Sequence, residues 1–132
     1  MVNKTFLVGK LVGDPEISTL ANGTPRGKFA LKTWYYIKKE DENGENIKVT
    51  EQGEIVEEQS LYKKIPTKHK IECYGKYLVD KIKKYEPGDI LFVEGSIVRY
   101  VVDKEVGDEI IKFPIVTVKA ERIKRIVKNI FE

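Results

Sequence analysis

The sequence predicts an all-β fold, a five-stranded barrel with one short helix between its third and fourth strands and with long β-hairpin loops. Three observations carry that expectation. Short β-forming runs recur between turn signals, period-two alternation is sustained in two of them, and one stretch alone shows helical spacing of its apolar residues. At 132 residues the chain has the length to close one apolar core and is expected to form one domain.

The first run, Val2 to Val12, contains Gly9 and is expected to end at Gly13, Asp14 and Pro15, a composition suited to a bent barrel strand. Asn22-Gly23 then signals a tight turn. From Arg26 to Lys39 the chain alternates, with Phe29, Leu31, Thr33, Tyr35 and Ile37 on one face and Lys28, Lys32, Trp34, Tyr36 and Lys38 on the other. Residues 40–66 are too polar to be core. Gly44, Gln52-Gly53 and the runs Ile47 to Thr50 and Ile55 to Val56 suggest a projecting acidic hairpin or loop there. Thr67 to Tyr77 alternates again, His69, Ile71 and Cys73 facing one way and Lys68, Lys70, Glu72, Tyr74 and Lys76 the other. Leu78, Val79, Ile82 and Tyr85 follow at helical spacing, and Pro87-Gly88 ends that helix before a fourth strand starts at Ile90. A hairpin turn near Val106-Gly107-Asp108 leads to a closing strand from Ile110 to Ile126. The domain is thus expected over residues 1–126, with 127–132 as a short C-terminal tail.

The net charge of +3 conceals a segregation. Residues 40–66 hold eight carboxylates against three lysines, a deficit of five, so the remaining residues carry an excess of eight positive charges. Such a surface suits a polyanionic partner, although Lys- and Glu-rich surfaces also occur in heat-adapted proteins without one. No apolar run approaches the ~20 residues of a membrane helix, so no membrane partner is expected. The start at Met1, Val2, Asn3 and Lys4 shows neither a secretory signal nor an Arg- and Ser-rich presequence, which makes the cytoplasm the expected location.

Catalysis finds little footing in these residues. The single His69 falls on the expected inward face of a strand, where a structural role outweighs a catalytic one, and the clustered acids lie where nothing desolvates them. One cysteine, Cys73, excludes an intrachain disulfide and a Cys-rich zinc site. No Gly-rich turn opens a helix to cradle a phosphate, and neither a metal nor a cofactor is expected. What remains is the face that sets Trp34, Tyr36 and Tyr74 among Lys28, Lys32, Lys38, Lys68, Lys70 and Lys76. Bases stack on such rings whatever their identity, and ammonium groups follow the phosphates. The competing reading packs the same rings in a subunit interface or beneath the acidic hairpin.

The order and spacing of Val2-Asn3-Lys4, Leu7-Val8-Gly9, Leu11, Asp14-Pro15-Glu16, Asn22-Gly23, Leu31, Thr33, His69, Tyr74-Gly75-Lys76, Gly88 and Val93-Glu94-Gly95 resemble the bacterial-type single-stranded DNA-binding protein family. The resemblance implies an OB fold, a five-stranded Greek-key barrel. It also implies sequence-indifferent binding and protection of single-stranded DNA in replication, recombination and repair, by a homo-oligomer, usually a tetramer. By position, Tyr74 resembles the family's stacking aromatic on the third strand and Lys4 one of its phosphate contacts. The family's fourth-strand aromatic falls near Val102, with Tyr100, next to Arg99, as a stand-in, and His69 is similar to a position at subunit contacts. The family tryptophan near the end of the second strand falls on Ile37, leaving Tyr36 or Trp34 to substitute, and the one before His69 is replaced by Lys68. The end of the chain departs from the family: Arg122, Lys124, Arg125 and Lys128 are basic where bacterial members carry an acidic tip that recruits replication and repair proteins. Either the chain has been shortened or it comes from a tailless branch that recruits partners otherwise, and the missing tip and the replaced tryptophans keep a second reading open, an OB-type primosome accessory or RNA-binding subunit dominated by protein contacts.

Overall fold

The computed structural model describes residues 1–38 and 61–129. Their elements are β1 (Thr5–Thr19), β2 (Pro25–Lys38), β3 (Tyr62–Tyr74), α1 (Lys76–Ile82), β4 (Ile90–Val106) and β5 (Glu109–Val127). Two compact units are distinguished, one of Met1–Thr33 with Lys68–Glu132 and one of Trp34–Thr67.

In the first unit the strands close into a barrel in the order β1-β2-β3-β5-β4. β1 closes it by serving two neighbours. Its first half pairs antiparallel with β4, from Thr5↔Gly95 to Lys10↔Ile90, and its second half with β2, from Lys10↔Lys32 to Thr19↔Pro25. A strand shared in this way must bend, and the bend is a register shift between Val12 and Glu16. The sequence expectation that the first strand stops at Gly13, Asp14 and Pro15 is therefore corrected. Pro15 has no N–H for the ladder and Gly13 takes a φ of 72°, so these residues interrupt pairing without ending the strand. The parallel pair Ile71↔Val118 and Glu72↔Lys119 joins β3 to β5.

Leu11, Leu31, Ile71, Cys73, Leu91, Val93 and Ile123 fill the barrel, all 2% exposed or less. The inward sides expected of the second and third strands are therefore correct for Phe29, Leu31, Ile71 and Cys73. α1 lays Leu78, Val79 and Ile82 on the barrel at the expected helical spacing. It docks over Gly27, where a Cβ would run into Ile82 Cδ1 and lie 3.0 Å from Cys73 Sγ. The Asn22-Gly23 and Gly107-Asp108 turns fall where the sequence places them, both glycines with positive φ. Asp89, fully buried, ties the loop after α1 to the end of β5. It accepts from the backbone N–H of Glu86 at 2.9 Å and of Asn129 at 2.6 Å, with Arg125 Nη1 at 3.4 Å. Asn129 Nδ2 also donates to Pro87 O at 2.9 Å, so the start of the expected C-terminal tail is bound to the barrel.

The second unit departs from the sequence reading in two places. Tyr35 and Ile37, read as sharing a face with Phe29 and Leu31, are 55% and 43% exposed, because the buried face of β2 ends at Leu31 and Thr33 is only half-buried. Residues 62–66, expected in the acidic loop, belong to β3: their Lys-rich polarity masks a Tyr and an Ile that suit a strand. The rest of that expected hairpin, residues 40–60, lies outside the described residues.

Candidate nucleic-acid interface

On the barrel unit, period two along β3 sends Glu72 and Tyr74 to one face, opposite Ile71 and Cys73. Glu72 is 6% exposed yet charged. It survives there because three donors converge on it: Arg26 Nη2 at 2.9 Å and Tyr100 Oη at 3.0 Å on Oε1, and Tyr74 Oη at 3.0 Å on Oε2. Burial would push this carboxyl up, but the hydrogen bonds from Arg26, Tyr100 and Tyr74 hold it below the usual carboxylate value. The same burial, aided by Glu72, raises both tyrosine hydroxyls, which stay protonated as donors.

Two cations flank the Tyr74 ring, the Arg26 guanidinium 5.9 Å and Lys119 Nζ 5.5 Å from its centroid. Leu20, Arg26, Glu72, Tyr74, Val98, Tyr100 and Lys119 line a hollow of about 380 Å³. A neighbouring hollow of about 360 Å³ shares Glu72 and Tyr100 and adds Lys28, Lys70, Phe29 and Ile115. Tyr74, Tyr100, Lys28 and Lys70 thus stand on one continuous wall of the barrel unit. Arg26, Glu72 and Lys119 belong to it as well and were missed in the sequence. Glu72 was visible as the one acid on the Lys-aromatic face of the third strand. Lys119 had no such signal, since only the parallel β3–β5 register brings it beside Glu72.

The remaining expected residues lie elsewhere. Lys68 and His69 line a third hollow of about 300 Å³ with Lys70, Ile97 and Val116. His69 Nε2 lies 2.7 Å from Thr33 Oγ1. Arg99 is exposed and, one residue from Tyr100, faces the other side of β4. Lys4 is held by Glu94 at 3.0 Å and Glu121 at 3.6 Å, and its hydrogen bond to Glu94 raises its pKa. Lys32 is exposed opposite Lys10, and Lys76 opens α1. In the second unit Trp34, Tyr36 and Lys38 are exposed on alternate positions of β2, and Lys64 Nζ sits 4.2 Å from the Trp34 ring centroid. Each unit therefore presents its own cluster of rings and ammonium groups. Cys73 offers no nucleophile, for burial pushes its thiol up to about 11.

Residues 2–124 match the model of the single-strand binding protein family. A curated relative, the single-stranded DNA-binding protein of Aquifex aeolicus, is 31% identical over 126 residues, covering 96% of this chain and 71% of the relative. Among solved structures, an SSB of Plasmodium falciparum in complex with ssDNA superposes with a TM-score of 0.67 at 20% identity, over 98% of this chain and 96% of that one. A deletion mutant of the single-stranded DNA binding protein from Thermus aquaticus gives a TM-score of 0.65 at 21% identity, over 95% of this chain and 50% of that one. These two likenesses establish the OB-type barrel as the shared fold.

Proposed function

Because the chain belongs to the single-strand binding protein family, we propose that it coats unpaired DNA without reading base sequence, protecting it in replication, recombination and repair. The observation that carries this reading is the wall around Glu72, where Tyr74 and Tyr100 stand among Arg26, Lys119, Lys28 and Lys70. A base laid on a tyrosine ring gains about 1 to 3 kcal/mol whichever base it is, while the cations take phosphates and release counterions. Trp34, Tyr36, Lys38 and Lys64 supply the same chemistry on the second unit. Binding and not catalysis is the proposed activity, and no cofactor enters it. The basic lysines Lys4, Lys32, Lys68 and Lys76 and Arg99 act in this reading as outlying phosphate contacts, Lys4 only by exchanging its carboxylate partners for DNA. In this reading the protein works in the cytoplasm, and among the described residues no helix is long and apolar enough to cross a membrane.

The protein acts in this reading as a homo-oligomer, a dimer or tetramer. On the outer face of β1 and β4, Phe6 and Val8 are 61% and 54% exposed, Phe6 stacks on Phe92 at 6.2 Å, and Val8 pairs with Phe92. An apolar patch of that kind, rimmed by the Lys4–Glu94–Arg122 ion pairs, suits a second copy. His69, beside the exposed Ile97 and Val116, is a further subunit contact. Replication and repair proteins are further partners in this reading.

Titrating oligo-dT, oligo-rU and duplex DNA against the intrinsic fluorescence of Trp34 at several salt concentrations tests the function. Tight, salt-sensitive binding of oligo-dT and weak binding of duplex are expected. Equal affinity for duplex, or no loss of oligo-dT affinity in both Tyr74→Ala and Trp34→Ala as read by the anisotropy of a labelled oligo-dT, would remove the reading. Sedimentation at micromolar concentration tests the assembly, with Val8→Glu expected to yield smaller species.

A further inference from the structure

The wall proposed to take DNA has a carboxylate at its centre. Glu72 lines both hollows, with Arg26, Tyr74 and Lys119 beside it in one, Asp14, Glu16, Lys28 and Lys70 in the other, and Tyr100 in both. These are the charged and titratable groups around it, drawn from all five strands. Among the described residues only Arg26 makes ion-pair contact with it, Nη2 to Oε1 at 2.9 Å.

That contact is a single bond, whereas a firmly seated guanidinium meets a carboxylate through two parallel N–H···O bonds. Oε1 also accepts from Tyr100, Oε2 accepts from Tyr74, and the buried Arg26 Nε has no partner. The Arg26 side chain is 23% exposed where it lines the hollow, so its cation can turn from Glu72 to an oxygen arriving at the surface. One obstacle opposes the exchange. An ionised carboxylate 6% exposed would lose its counter-charge in surroundings that disfavour its own. A proton from solvent removes that obstacle: the neutral carboxyl keeps an acceptor oxygen for the tyrosine hydroxyls, and Arg26 stays charged throughout.

We propose that Glu72 is a positioning residue that controls Arg26 through its own proton: ionised, it keeps the guanidinium in the wall, and protonated, it releases that cation to a DNA phosphate. This rests on the single-stranded DNA binding proposed above. Burial pushes the Glu72 carboxyl up and Arg26 is foremost among the groups that hold it down. When Arg26 leaves and phosphates arrive, Glu72 therefore accepts a proton at a pH where the free protein keeps it ionised. Between the free and bound values, binding takes up one proton and affinity rises as pH falls, by up to about tenfold per pH unit. Above both values Arg26 stays on Glu72 and affinity is level with respect to this group.

The test follows the anisotropy of labelled oligo-dT, whose thymines do not titrate in the range used, from about pH 8 to about pH 5 at several salt concentrations, with the parent and with Glu72→Gln, whose amide stands in for the neutral carboxyl. The variant should bind more tightly than the parent at the alkaline end, and the two should converge in acid. The parent's slope of log affinity against log salt should steepen by about 0.7 on acidification, towards a variant slope that is already that steep. His69 is common to both proteins and cancels in the comparison. The Glu72 carboxyl carbon of the parent, followed by NMR, should titrate at higher pH with oligo-dT than without it, a measurement that needs no variant. Parallel pH profiles in the two proteins, each binding oligo-dT, would overturn this proposal and leave the function standing, as would a Glu72 titration that oligo-dT does not move. Absence of oligo-dT binding by the parent at every pH would overturn the function and this proposal together.

Discussion

At the residue scale, Glu72 is a carboxylate buried under the surface proposed to receive phosphates. Glu72 neutralises Arg26 and holds the hydroxyls of Tyr74 and Tyr100, which fixes the planes of two rings at once. Glu72→Ala is expected to destabilise the fold by about 2 to 3 kcal/mol, short of the 3 to 5 of a fully buried pair because the Arg26 side chain is 23% exposed. Denaturant unfolding of the two proteins measures it. Glu72→Gln separates charge from position. It retains an acceptor for the tyrosines but releases Arg26 to a phosphate, so the slope of log affinity against log salt should steepen by about 0.7, the value of one added contact to a single strand. An unchanged slope would mean that Arg26 does not reach the DNA.

At the scale of elements, α1 is seven residues long, too short to persist on its own, and is held by docking Leu78, Val79 and Ile82. The docking surface is the bare backbone of Gly27. Gly27→Ala forces Ile82 to move and is expected to cost about 1 to 3 kcal/mol, seen as a lower denaturation midpoint with an unchanged slope. That helix was legible in the sequence because its apolar spacing and the Pro87-Gly88 stop are local signals. So were the Asn22-Gly23 and Gly107-Asp108 turns and the alternation of Phe29 and Leu31. The reach of β1 was not, since Gly13, Asp14 and Pro15 look the same whether a strand ends or bulges, and only pairing with β2 decides it. The site divided along the same line. Tyr74 and Lys70 could be placed from one strand's alternation, whereas Arg26, Tyr100 and Lys119 meet Glu72 through barrel closure, which no short window of sequence encodes.

At the scale of the whole molecule, two of the three buried carboxylates among the described residues sit where the barrel unit is stitched together, Glu72 among β2, β3 and β4, and Asp89 between the loop after α1 and the end of β5. Burial opposes ionisation of both, yet their donors win: Asn129, Glu86 and Arg125 hold Asp89 below its ordinary 3.8, and Arg26, Tyr100 and Tyr74 hold Glu72 below its ordinary 4.5. The unfolded chain therefore takes up these two protons at higher pH than the folded chain does. As pH falls, the unfolded state binds more protons and gains on the folded one, so the stabilisation is complete above the unfolded values and is lost as pH drops through the folded ones. Denaturation midpoints should be level near neutrality with respect to these groups and should decline below about pH 4.5. Asp89→Asn isolates one of the two protons: the variant should be less stable at neutral pH, where an amide replaces the carboxylate between Arg125 and the Asn129 N–H, and its decline in acid should be shallower. Parallel acid limbs for the parent and Asp89→Asn would show that this carboxylate is not the group whose protonation opens the barrel.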